Sequence, residues 1–90
     1  MELKIVAREG EEITFRIRPG SLTDRGTPGS DIPGIANTVR RRQYACTPEL
    51  VPDIEKIRRC DGVLSVTPEE KFKVRVHGFT NGQLILESLD

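Results

Sequence analysis

The chain has 90 residues, 36% apolar and 31% charged, with no Trp, so one small domain must build its core from Ile, Val, Leu and three Phe residues. Lys plus Arg and Asp plus Glu both number 14, which excludes a global field that would draw the whole molecule to nucleic acid or a membrane. No run approaches the roughly 18 apolar residues of a spanning helix, and the N-terminus alternates charge and apolarity instead of forming a signal-peptide core, so the expected address is the cytoplasm.

Leu3, Ile5 and Ala7, then Ile13, Phe15 and Ile17, keep a period of two on either side of Glu9-Gly10-Glu11. That pattern predicts an N-terminal antiparallel β-hairpin with one apolar face. Residues 19–34 hold half of the chain's glycines and half of its prolines and read as a long, flexible loop. The Gly-Lys-Ser/Thr ending of a phosphate-binding loop is absent there, which removes the main support for nucleotide hydrolysis.

Asp31 can cap a helix with Pro33 in its first turn and Ile32, Ile35, Ala36 and Val39 on one face, running to about Tyr44. A second helix is expected to start near Thr47 or Val51, to bury Leu50, Ile54 and Ile57, and to end at Gly62. Val63 to Thr67 reads as a short strand, and Phe72, Val74 and Val76 alternate as another. Asn81-Gly82, between that run and Leu84-Ile85-Leu86, is a strong signal for a C-terminal β-hairpin. The resulting expectation is an α+β fold, a two-layer sandwich forming a single domain over 1–90, with one or two helices on one face of the sheet.

The spacings point to no catalytic, cofactor or metal site. His77 is the single histidine, Cys46 and Cys60 form no Cys-x-x-Cys pair, and both cysteines read as thiols. The pairs Glu11-Glu12 and Glu69-Glu70 fall at expected turns and read as solvated charges. No Ser or Cys can be tied by sequence to His77 as an activated nucleophile.

Arg40-Arg41-Arg42 is the sharper feature. Consecutive helix residues point about 100° apart, so three arginines cannot share one face, and at least one is expected against the sheet or a partner. From Ile35 to Cys60 there are six cations against three anions, while Asp61 to Asp90 is net acidic, a polarity suited to self-pairing or to an oppositely charged partner. Phe79, beside the Asn81-Gly82 turn, is either a cross-strand contact or an exposed anchor for another protein. With so few aromatics, nucleic acid ranks behind protein as a partner.

Ile35-Ala36-Asn37-Thr38-Val39-Arg40-Arg41, after a hairpin from Glu2 to Arg18, resembles the Leu-Ala-Asn-Ala-Leu-Arg-Arg-like motif of the alpha-type assembly subunits of multisubunit RNA polymerases. Those include the bacterial alpha subunit and the archaeal D and L subunits. The resemblance covers roughly the first half of the chain, with Ile for Leu, Thr for Ala and Val for Leu. It implies a non-enzymatic scaffold in which Ile35 and Val39 pack, Asn37 fixes local backbone, and Arg40 and Arg41 face the large subunits. Two departures are the long loop over 19–34 and the lack of the family's long final helix. The partner-binding set is therefore Asn37, Arg40, Arg41, Arg42 and Phe79, in a protein-interaction or assembly module. The alternative is a ferredoxin-like regulatory or nucleic-acid-binding domain in which Arg58, Arg59 and Lys73 face phosphate.

Overall fold

Strands β1 (Glu2–Val6) and β2 (Glu12–Arg16) pair antiparallel, with Leu3 opposite Phe15 and Ile5 opposite Ile13. The alternation seen in sequence thus becomes one inward face. This is a computed structural model, and it describes residues 1–27 and 41–90. Among those residues the remaining strands are β3 (Thr23–Gly26), β4 (Gln43–Cys46), β5 (Asp61–Ser65), β6 (Lys71–Thr80) and β7 (Gln83–Ser88).

All seven lie in one antiparallel sheet of order β2-β1-β5-β6-β7-β4-β3. Its two ends meet. Beyond β2, Ile17 forms an antiparallel bridge with Pro48, which follows β4. The Arg18 amide donates to the Thr47 carbonyl at 2.8 Å and the Glu49 amide to the Arg16 carbonyl at 2.9 Å. Curling the sheet so that its ends pair removes part of the exposed edge and wraps it around a core.

That core is apolar throughout. Leu3, Ile5, Leu64, Val74, Val76, Leu84 and Leu86 come from the strands, Ile17 and Cys46 from the closing ends, and Ile57 and Cys60 from the connection before β5. Among the described residues no polar or charged side chain is buried. Both cysteines are buried, unpaired thiols. No helix among the described residues is long and apolar enough to cross a membrane.

The fold class differs from the α+β sandwich expected from the sequence: the described residues form an all-β domain with one short helix, α1 (Ile54–Ile57). The expected first helix falls mostly on residues 28–40, outside the described residues, but its expected end, Gln43 and Tyr44, lies in β4. Within the expected loop, Thr23–Gly26 forms the edge strand β3, held to β4 by backbone bonds and to Arg42 by the carboxylate of Asp24. An edge strand of polar residues has no apolar alternation to betray it.

The expected second helix shrinks to one turn. Pro52 sits just before it, Asp53 at its N-cap makes no side-chain capping bond, and Arg58 has already left helical geometry at ψ 131. Leu50, expected in its buried stripe, is instead 81% exposed. Gly62 does not end a helix. It lies in β5 opposite Ile5, and a Cβ there would run into the Lys4 carbonyl oxygen and come 2.5 Å from Ile5 Cδ1. The C-terminal hairpin forms as expected, with Asn81 (φ 52) and Gly82 (φ 77) both left-handed, as a two-residue turn of this hand requires.

Candidate anion-binding groove

Two irregularities meet at one place on the outside of the sheet. The first is Arg59, which follows the single turn of α1 with φ 65. That is the left-handed conformation glycine usually supplies after a helix, and a branched-chain-free but bulky arginine adopts it at a cost. Its amide donates to the Val76 carbonyl at 2.8 Å, and the Val76 amide returns to the Cys60 carbonyl at 3.0 Å. Residues 59 and 60 are thereby stapled to β6.

The second irregularity is a bulge in β6 at the same level. Val76 opposes Leu86 and Gly78 opposes Ile85, so His77 is the extra residue. Bulges re-aim side chains, and this one turns His77 toward the outer-face charges of its neighbours. Arg75 opposes Asp61 of β5 on one side and Glu87 of β7 on the other. Arg75 Nε donates to Asp61 Oδ1 at 2.8 Å, and His77 Nδ1 lies 2.9 Å from Glu87 Oε1. The hydrogen bond and charge of Asp61 hold the Arg75 guanidinium above its ordinary pKa.

Between these features opens a groove of about 900 Å³, lined by Val6 and Val76 and by the charged and polar residues Arg58, Arg59, Arg75, His77, Asp61 and Glu87. Arg58 has a loose contact to Glu55 at 3.4 Å, and its carbonyl accepts a 3.0 Å bond from Arg8 Nη2, which brings another guanidinium to the same end. Arg59 makes no ion pair among the described residues. The groove therefore offers one uncommitted arginine and several others whose partners are exposed and exchangeable. Such a surface can hold an anionic group by charge-assisted, forked hydrogen bonds.

The groove's titratable groups are Asp61, His77, Glu87 and the arginines. The His77–Glu87 pair has no Ser, Thr or Cys among the lining residues to activate. Cys46 is buried elsewhere, and desolvation pushes its thiol up to about 11, which keeps it protonated and inert at neutral pH. Among the described residues, no three His, Cys, Asp or Glu side chains gather as metal ligands.

The residues singled out from the sequence are placed differently. Asn37 and Arg40 lie outside the described residues. Arg42 pairs with Asp24 at 2.7 Å, and Arg41 Nη1 reaches the Ser88 carbonyl at 3.5 Å, so both contact neighbouring strands of their own chain. Phe79 opposes Leu84 across the hairpin and packs, half-buried, against the core, which is the cross-strand alternative. Phe72, given a core phase by its strand, is 44% exposed. Arg58 and Arg59, from the alternative reading, do line the groove, while Lys73 does not. Arg75, Asp61, Glu87 and His77 carry no site signal in the sequence, because only strand register and the β6 bulge bring them together. Comparison with protein-family models, curated proteins and solved structures finds no match to this chain.

Proposed function

We propose that this domain is a non-enzymatic protein-interaction module whose working surface is the arginine-lined groove, and that it takes an anionic segment of a partner protein. The observation that carries this reading is the convergence of the strained Arg59 and the bulged His77 on one groove with Arg58 and Arg75. Backbone strain outside glycine persists where the surrounding structure enforces it, and it gathers at binding sites. A bulge beside the same site is a second device of that kind.

A second reading, an alpha-like polymerase assembly subunit, places the contact instead at Asn37 and Arg40 to Arg42 and names the large catalytic subunits as partners. A cytoplasmic setting suits either form, since two buried thiols remain unpaired.

Affinity capture from cell extract separates the two surfaces, using three baits: the native chain, an Arg58→Glu/Arg59→Glu variant and an Arg41→Glu/Arg42→Glu variant. The groove reading expects a partner that the native chain and the second variant recover and the first variant loses. Loss confined to the Arg41 and Arg42 variant would move the contact to the β4 edge and leave the groove without a role.

A further inference from the structure

We propose that the anionic segment of the partner is extended, carries acidic residues at alternate positions, and lies along the outer face of β6, from the groove to Lys73 and Lys71. The inference rests on the groove being the binding surface and adds the shape and charge pattern of what it takes.

The path is set by the sheet. Val74 and Val76 face the core, so the residues that alternate with them face out, and Lys71, Lys73 and Arg75 stand in one row on β6. Successive members of that row are roughly 6.8 Å apart, the same interval that separates alternate side chains of any extended chain. Val76, whose carbonyl takes the Arg59 amide, is next to Arg75, so the row leads into the groove. Lys71 to Val76 spans roughly 17 Å of strand, the reach of about six residues of an extended partner.

The cations on this path outside the groove have no partners of their own. Register places Lys4 of β1 and Lys73 of β6 on either side of Val63 of β5, and puts Arg16, Glu2, Ser65 and Lys71 in the next row. Lys4, Lys71 and Lys73 are exposed and make no ion pair among the described residues. Lysines often guard the edge of a sheet, but β1 and β6 are each paired on both sides, so that role does not account for Lys4 and Lys73. Two strand spacings, roughly 9.6 Å, separate those two residues, a gap that flexible lysine arms can close on one carboxylate.

A single-stranded nucleic acid could also lay charges along such a row, but its bases need a stacking platform. Phe15, Tyr44, Phe72 and Phe79, the only aromatics of the chain, stand opposite Leu3, Leu86, Leu64 and Leu84 and share the inward phase of those core residues. The outer face offers Val63 and the exposed Val6 instead, which suit the side chains of a protein segment.

The test is a titration of the full 90-residue chain, read by amide chemical shifts. The probes are a capped Glu-Ala-Glu-Ala-Glu-Ala peptide, a capped Glu-Glu-Glu-Ala-Ala-Ala peptide of equal charge, and an oligothymidine of similar length. The alternating peptide is expected to shift the amides of Lys4, Lys71 and Lys73 together with those of Arg59 and His77, and to bind about three-fold tighter than the block peptide. Lys71→Gln/Lys73→Gln, at exposed positions, should weaken it about three- to ten-fold, with an otherwise unchanged amide spectrum showing that the variant is folded. Shifts confined to the groove amides and unaltered by that variant overturn the path along β6 and leave the groove as the binding surface. Equal binding of the block peptide overturns the alternating pattern, and tighter binding of the oligothymidine overturns the acidic protein segment. Shifts confined to the lysines, or none with any probe, overturn the groove reading as well.

Discussion

Replacing Arg59 by Gly should make the domain more stable and a poorer binder. The native residue sits at φ 65, where an L-residue with a Cβ is strained by roughly 1 to 2 kcal/mol and glycine is not. Glycine returns roughly 0.5 to 1 kcal/mol of that through the greater freedom of the unfolded chain. Because Arg59 is exposed and its side chain makes no ion pair among the described residues, little else is lost. The expected net gain is therefore about 0.5 to 1 kcal/mol, or roughly 2 to 8 °C in melting temperature for a domain of this size. Arg59→Ala keeps the strained backbone and loses the same side chain, so it serves as the control and should stay within about 0.5 kcal/mol of the native chain. Urea unfolding of the three proteins, with a common slope, gives the difference directly. Equal stability of the Gly and Ala variants would refute the strain at residue 59, and undiminished partner capture by either would refute its purpose.

At Gly62, where a Cβ would meet the Lys4 carbonyl oxygen and Ile5 Cδ1, Ala should destabilise by about 1 to 3 kcal/mol through forced separation of β1 and β5, as read by thermal melting. Cys46 is neutral in the fold and its thiol is raised to about 11 from 9.0, so the stability this provides is intact below about pH 9 and is lost as pH rises toward 11. Unfolding free energies from urea melts should fall across that window by up to about 2 to 3 kcal/mol, and Cys46→Val should flatten the fall; an unchanged profile would contradict burial of the thiol. Thiol reagents should leave both buried cysteines untouched at neutral pH until denaturant is added. Arg42→Ala should cost under about 1 kcal/mol, since its pair with Asp24 is half-exposed, as read by urea unfolding, and should leave partner capture through the groove unchanged.

What the sequence reveals and what it hides divide along physical lines. Both hairpins are legible, because Leu3/Ile5 against Ile13/Phe15 and Phe72/Val74 before Asn81-Gly82 encode period and turn within a few residues of each other. The helical readings fail where short apolar spacing is ambiguous. Leu50, Ile54 and Ile57 fit a helix of three turns, yet Pro52 and the early exit at Arg58 leave room for one. Gln43–Cys46 is a strand because β7 and β3 flank it, and neither partner is adjacent in sequence. Glycine at 62 reads as a helix stop, but its cause is a neighbouring backbone that the sequence does not show.

The groove is hidden for the same reason. Arg58 and Arg59 are conspicuous as a pair, but Asp61, Arg75 and Glu87 become a row only through the register of β5, β6 and β7, and His77 joins them only through a bulge. The Arg40 to Arg42 run draws attention because three like charges are adjacent. Two of its members nonetheless reach acceptors within the chain: Arg42 the Asp24 carboxylate and Arg41 the Ser88 carbonyl.

The most direct measurement places a photo-crosslinking residue at position 6, where the exposed Val6 lines the groove, and, separately, at position 41, and irradiates each protein in cell extract. If the groove is the working surface, position 6 crosslinks one partner protein, and that crosslink is competed by excess native domain and lost when Arg59 and Arg75 are replaced by Glu. A partner crosslinked from position 41 alone, with nothing from position 6, would contradict it.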